Sequence, residues 1–395
     1  MITDDMQKNY RILIVSPIPV SLTNNQYQTL DLWVEDLETN LKHVQSIGVI
    51  CPRSDLVAEP KRSVPESIQI FFQDEVMSKP HLIDIVKNYD VVMVAAGNPF
   101  WRMKTALNAA LIAKKLKCCL ITSITSNRSK TTIMNAKGKN WLQKLKAHLV
   151  AWNITRTTFK LVNMSNGVLV IGEGVRQSMH ITHPNLYLET ASWIQDDDVI
   201  TEIDHEKRRV NYSECVLPKA IIATRLEPMK GVDIGIEALA YLKKEHGVSM
   251  ELSILGKGAD LNRLEGSVES NNLSSTVTFE GVLSYPDAFF VKIRRYELML
   301  LTNLNDEQPR LIFDAISQGL IPVCPDSSSY ISLGLPKEVY YKTGDSESLA
   351  FKLLELSDGK LLSRLLTQLR PFAIKYTINS MHQQRVNWVK SLLNK

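Results

Sequence analysis

The chain has 395 residues, 44% of them hydrophobic and 22% charged, with a formal net charge of +4. That composition is that of an ordinary globular protein and excludes a disordered, collagenous or disulfide-stapled one. Its length predicts two domains, each with its own core.

Five scattered cysteines without a CxxC pair point to a reducing compartment. The polar opening MITDDMQKNY does not resemble a signal peptide, and no run approaches the ~18 apolar residues of a spanning helix. The expected location is cytoplasmic, at most peripheral at the inner face of a membrane.

Strand and helix patterns alternate along the chain. RILIVSPIP (11–19) reads as a buried strand, followed by a loop and an amphipathic helix over 27–43. SIGVIC (46–51), IQIFF (68–72), VVMVAA (91–96), CCLITSI (118–124) and VLVIG (168–172) are short apolar, β-branched runs of buried-strand type. The polar, charge-dense segment 195–215 is the predicted domain boundary. A second series follows in KAIIATR, MELSILG, TVTFEG, YELMLLT and IPVCP, and 360–394 holds two helical patterns broken near Tyr376–Asn379. The alternation predicts an α/β fold of two Rossmann-like, doubly wound parallel-sheet domains facing across a cleft, 1–205 and 206–377.

Four motifs between Ala220 and Gly319 carry the chemistry. In ATRLEPMKG (223–231) a strand delivers Arg225, and Lys230 with Gly231 opens the next helix. Two cations beside a helix N-terminus suit a phosphate. Either cation alone reads as an ordinary solvated side chain; the company of the other motifs favours phosphate.

LSILGKG ends a strand with Gly256 and Gly258, where close ligand approach and a simple tight turn both remain open. Leu261 replaces the third glycine of a dinucleotide fingerprint, so NAD binding is not supported. VTFEGVL brings Gly281 to the end of a further strand.

In NDEQPRLIFDAISQG (305–319), Asp306 lies in a loop and Asp314 one turn inside the following helix. A carboxylate can accept both hydroxyls of a vicinal diol, the natural partner of a ribose or hexose. A capping acid plus a solvated acid is the plainer reading. However, Asp314 sits within the apolar run LIFDAI, where an unpaired carboxylate is costly to bury, and this favours a ligand.

This ordered set resembles the C-terminal half of GT-B glycosyltransferases, closest to the retaining family four. That family carries "RL…KG", "G.G", "F.G" and a carboxylate pair leading into a helix; here the last reads DEQPRLIFDAISQG, matching through Pro309, Ala315 and Gly319. The resemblance implies that Arg225 and Lys230 neutralise the departing nucleoside diphosphate in place of a metal. It implies that Asp314 binds the ribose, Asp306 or Glu307 the donor sugar, and that Gly256, Gly258 and Gly281 belong to the donor site. It also implies that a C-terminal helix over 378–395, with Trp388, crosses back to the first domain. No cofactor is implied; the donor, a UDP- or GDP-sugar, is a substrate.

Some positions depart from the family pattern. Both family glutamates are aspartates, unless Glu307 replaces the first with its register shifted by one. IPVSLTNNQY lacks the glycine pair expected after the first strand, leaving Asn24 or Asn25 to adopt the left-handed conformation. SITSNRSKT stands where a histidine is often found. His180 and His183 have no third ligand in view, so no metal site is predicted.

The implied reaction is transfer of a sugar from a nucleotide sugar to an acceptor hydroxyl, with retention and without metal. Residues 91–172 contain no Asp or Glu and thirteen Lys and Arg, while the rest of the chain is net acidic. Within them, KGKNWLQKLKAHLVAWNITRTTFK sets Lys139, Lys144 and Lys146 among Trp141, Leu142, Leu145, Leu149, Val150 and Trp152 at helical spacing. Such a helix suits an anionic membrane and an acceptor on a lipid-linked glycan, as in bacterial surface polysaccharide assembly. A core-facing stripe with a solvated basic face is the competing reading. The alternatives are a DNA-modifying glycosyltransferase, with nucleic acid as the partner of the basic surface; a nucleotide-sugar epimerase of the same fold; and a non-catalytic nucleotide-sugar-binding relative.

Overall fold

The computed structural model describes residues 10–394 except 56, 58–60, 77, 137–139, 307 and 309. The chain divides into two compact units. One runs to Ala191 and takes in the chain from Ile378 onward; the other is Ser192–Thr377.

The first unit contains strands β1 (Arg11–Val15), β2 (Ser21–Thr23), β3 (Gln26–Leu30), β4 (Ser46–Cys51), β5 (Lys61–Ser63), β6 (Ile68–Phe72), β7 (Val91–Ala95), β8 (Cys119–Ile124), β9 (Gly167–Ile171) and β10 (Leu186–Glu189). Its helices are α1 (Asp31–Leu41), α2 (Lys79–Val86), α3 (Lys104–Leu116), α4 (Arg128–Met134), α5 (Trp141–Met164) and α6 (Glu173–Ser178). Seven strands form one sheet in the order β10-β9-β8-β7-β1-β4-β6, every pairing parallel. The central strands are nearly continuous apolar runs because helices cover both faces of such a sheet. Strand order reverses between β1 and β7, as in a doubly wound sheet.

The helix predicted over 27–43 is shorter at its start, because β2, β3 and β5 make a small antiparallel sheet first. Asn24 and Asn25 both take positive φ, 50° and 63°, and close the β2–β3 hairpin. A two-residue hairpin loop requires that conformation, and asparagine tolerates it. The strand β10 was also missed, because LYLE is only four residues long.

The second unit contains strands β11 (Ala220–Ala223), β12 (Leu252–Leu255), β13 (Val277–Gly281), β14 (Leu298–Leu300), β15 (Ile321–Pro325) and β16 (Tyr340–Tyr341). Its helices are α7 (Glu202–Ser213), α8 (Val232–His246), α9 (Leu261–Ser270), α10 (Asp287–Ile293), α11 (Leu311–Ser317), α12 (Ser328–Ile331), α13 (Ser346–Glu355) and α14 (Gly359–Lys375). The sheet runs β13-β12-β11-β14-β15-β16, again parallel throughout, and its order reverses between β11 and β14.

The polar segment that marks a boundary in the sequence belongs to this second unit from Ser192 onward, not from 206. Its charges are used internally. Arg208 donates to the carbonyls of Gly319, Arg294 and Tyr296 and to the Tyr212 hydroxyl, and Arg370 donates to the Ile200 carbonyl at 2.7 Å. Gly319 has φ +75°, and a Cβ there would meet Ile200 and Arg208 within about 3 Å.

The last helix, α15 (Ile378–Leu393), packs in the first unit. Arg385, its side chain 11% exposed, makes a two-pronged pair with buried Glu189 at 2.6 and 2.7 Å. Trp388 stacks on Tyr187 with ring centroids 5.1 Å apart. A Cβ at Gly167 of β9 would lie 2.8 Å from the Trp388 ring and 2.5 Å from Leu392, so the glycine makes room for the helix.

Candidate active site

In the second unit, the reversal of strand order places the carboxyl ends of β11 and β14 side by side. A cavity of about 100 Å³ opens there, lined by Thr224, Lys230, Thr302, Asn303 and Arg310 above the apolar strand ends. Open parallel sheets bind ligands at this position. At ~30 Å³ of liquid per molecule, its volume equals about three waters, which suits a phosphate group rather than a whole nucleotide.

The loop after β11 is fixed by its neighbours. Lys230 ends a short 3₁₀ turn, and Gly231 follows with φ +61° before α8 begins. A Cβ on Gly231 would lie 2.2 Å from the Thr302 carbonyl, so glycine permits the close approach. The Thr302 hydroxyl donates to the Lys230 carbonyl at 2.8 Å, and the Leu304 N–H to the Met229 carbonyl at 3.0 Å. The backbone of Lys230 is thereby tied to the loop after β14, and its side chain borders the cavity. Arg225 stands elsewhere: its side chain is 71% exposed and donates to Glu227 at 3.0 Å.

The glycine motifs act on each other. A Cβ on Gly256, φ +146°, would lie 1.8 Å from the Thr224 carbonyl, and one on Gly258 would lie 2.1 Å from that of Leu226. These two let the loop after β12 lie flat against the loop after β11. The Gly256 N–H donates to the Gly281 carbonyl at 2.6 Å, which joins the third motif to the second. All three glycines therefore have a backbone role that holds the strand ends together.

The two aspartates differ in setting. Asp306 Oδ1 accepts the Ser329 N–H at 2.8 Å and so pins the amino end of α12. Asp314 is 6% exposed and accepts the Tyr285 hydroxyl at 3.0 Å. Burial pushes its carboxyl up to about 7; nearby Asp198 adds to the rise, while the Tyr285 hydrogen bond and the Arg310 guanidinium oppose it. Asp314 does not line the cavity but lies one turn further along α11 from Arg310. Glu307 and Pro309 lie outside the described residues.

Sequence reasoning missed Tyr285, Asn303, Arg310 and Trp193. Arg310 stands inside the quoted motif, four residues before Asp314, but nothing in the sequence shows that its guanidinium lies 4.0 Å over the Trp193 ring.

In the first unit, the apolar stripe over the first half of α5 is exposed and does not face the core. Trp141 is 71% exposed and Trp152 59%; Leu142, Leu145 and Leu149 are exposed as well, as are Lys144 and Lys146. The buried side chains of α5 come from Ala151 onward. Lys139 lies outside the described residues. Exposed Phe100 and Trp101 adjoin this helix, because the Phe100 N–H donates to Asn153 at 2.7 Å. Arg156 lies 5.3 Å over the Trp152 ring. Among the described residues, no helix is long and apolar enough to cross a membrane.

Comparison with known proteins agrees with this architecture. HepE from Anabaena, solved in complex with UDP, superposes with a TM-score of 0.65 at 14% identity over 96% of this chain and 100% of that one. A glycosyltransferase from Rickettsia africae gives 0.65 at 14% identity, over 98% and 99%. WaaG, a glycosyltransferase involved in lipopolysaccharide biosynthesis, gives 0.63 at 14% identity, over 95% and 98%. At these identities the likeness concerns the fold. No curated protein matches in sequence. Residues 206–371 match the model of the family described as "Glycosyl transferases group 1".

The chain thus has the GT-B fold. The match to group 1 glycosyl transferases falls within its second unit.

Proposed function

We propose that the protein transfers a sugar from a UDP- or GDP-sugar to an acceptor hydroxyl, with retention and without a metal. The observation that carries this reading is the cavity at the switch point of the second sheet, bordered by Lys230 at the end of the β11 loop. As the bond from the anomeric carbon to the phosphate oxygen lengthens, negative charge grows on the leaving diphosphate. Lys230 meets it, joined by Arg225 once that side chain exchanges Glu227 for the phosphate. Asp314 holds the ribose diol, and Asp306 or Glu307 the donor sugar. The acceptor oxygen forms the new bond to the anomeric carbon, and its proton passes to a donor phosphate oxygen. HepE has been solved with UDP-glucose as well as UDP, which favours a UDP-sugar among the donors.

The acceptor is a glycan on an anionic lipid carrier, of the kind assembled into bacterial surface polysaccharide. Support comes from the exposed aromatic and lysine face of α5 and from the likeness to WaaG. The test is turnover of UDP-glucose, UDP-N-acetylglucosamine and GDP-mannose, with and without a lipid-diphosphate sugar in anionic vesicles. Sugar transferred to the lipid supports the reading. Isomerised donor without acceptor points to an epimerase, and no turnover of any donor points to a binding protein.

A further inference from the structure

The outward face of α7 carries an apolar line between two charged edges. Ile203 is 69% exposed and Val210 46%, and a spacing of about two turns sets one above the other. His205 and Tyr212, on the opposite side of the helix, are buried. Ion pairs three residues apart flank the line, Asp204 with Lys207 at 3.7 Å on one edge and Glu206 with Arg209 at 2.7 Å on the other. These four charges cancel, so the face attracts neither an anionic membrane nor a nucleic acid. Their order is what matters. The acids Glu202, Asp204 and Glu206 come first and the cations Lys207 and Arg209 follow.

We propose that the protein forms a two-fold symmetric dimer in which α7 packs antiparallel on α7 of a second copy. Ile203 and Val210 lie equally far from the point between Glu206 and Lys207. Turning the helix end over end about that point sets Ile203 on the partner's Val210 and Val210 on the partner's Ile203. An antiparallel pair keeps each edge beside the same edge of its partner. Asp204 then meets the partner's Lys207, and Glu206 the partner's Arg209. The pairs within each helix need not break, because a carboxylate has lone pairs for two cations and exposed pairs exchange at little cost. A face that matches itself in this way is an isologous interface. The 12 residues of α7 make a short contact, but exposed apolar residues extend it at both ends. Val216 and Leu217 follow its carboxyl end. Ile374 lies one turn along α14 from Arg370, whose guanidinium reaches the Ile200 carbonyl near its amino end. Antiparallel packing brings these opposite ends together. The contact falls at the small end of interface sizes, below about 1,200 Å² in total, so the dimer is weak and reversible.

Sedimentation equilibrium of the whole chain in low salt, from about 1 to about 500 µM, tests this. Wild type is expected to pass from monomer to dimer within that range and to go no further, because a two-fold contact closes on itself. Ile203→Asp should weaken the dimer about 100-fold or more, since symmetry counts the lost burial twice. Arg209→Glu should weaken it about tenfold, and adding Glu206→Arg should restore it, because the exchanged charges meet again across an antiparallel pair. Circular dichroism and melting show whether each variant is folded; should Ile203→Asp not fold, the charge exchange decides. Wild type that stays monomeric throughout would leave this face to a different protein and overturn the proposal. So would a dimer indifferent to a folded Ile203→Asp, or a charge exchange that fails to rescue a folded Arg209→Glu.

Discussion

The hydroxyl of Tyr285 donates to Oδ1 of Asp314 at 3.0 Å, and this bond ties the loop after β13 to the middle of α11. It links the segment just after the third motif of the sequence to the fourth, at a carboxyl that is almost wholly buried. Removing it with Tyr285→Phe should cost about 1–2 kcal/mol at pH 8, measured by urea denaturation. The same carboxyl makes stability pH-dependent. Its pKa in the folded chain, about 7, lies above the ordinary 3.8, so its contribution is complete below the ordinary value and is lost as pH rises through 7. Ligand-free wild type should therefore lose stability between pH 5 and pH 8, and Asp314→Asn should lose distinctly less. Parallel curves for the two proteins would show that Asp314 ionises without penalty.

The clasp on α15 should be brittle. Arg385→Met leaves Glu189 as an unpaired buried charge, and the expected cost is about 3–5 kcal/mol. Arg385→Met with Glu189→Leu should restore most of it, since an apolar pair of similar volume avoids desolvation altogether. Thermal melts of both variants check this. A double variant no more stable than the single one would mean that the ion pair itself stabilises the fold.

Two glycines of the sequence motifs should respond differently to alanine. At Gly256 the added carbon would lie 1.8 Å from the Thr224 carbonyl, and the β11 loop would have to move. At Gly281 nothing lies within 4 Å, and only the φ of +71° resists, at about 1–2 kcal/mol. Gly256→Ala should abolish nucleotide binding or folding, while Gly281→Ala should melt slightly earlier and bind as before.

Vesicle flotation tests the exposed face of α5. Wild type should float with vesicles rich in phosphatidylglycerol and dissociate as salt rises. Lys144→Glu with Lys146→Glu should weaken that binding about tenfold or more, at ~1 kcal/mol per cation removed and further repulsion from each acid. Trp141→Ser should weaken it at every salt concentration. Binding unchanged by the double charge reversal would remove the membrane from the account.

Legibility in the sequence followed the kind of interaction. Both parallel sheets could be read from buried apolar runs such as VVMVAA and IPVCP, because burial on two faces leaves a local mark. Elements too short for periodicity, LYLE at 186–189 and Tyr340–Tyr341, left none. The hairpin at Asn24–Asn25 was visible only as a missing glycine pair, since positive φ at asparagine is a tolerance rather than a signature. Lys230, which borders the cavity, and Asp314, which does not, stood out in the sequence because each occupied an unusual place in an element. Arg310 did not, because its environment depends on Trp193, distant in the chain and joined to it only by folding. The boundary near 205 was misplaced for a similar reason. Charges such as Arg208 look solvated in sequence, yet the fold turns them onto backbone carbonyls.

The most direct test of the donor site is calorimetric titration of wild type and Lys230→Ala with UDP, GDP, ADP and CMP. One nucleoside diphosphate should bind to wild type, and Lys230→Ala should bind it at least about tenfold more weakly, as expected for losing one charge-assisted contact. If none of the four binds, or if folded Lys230→Ala binds as well as wild type, the cavity between β11 and β14 is not where the donor diphosphate sits.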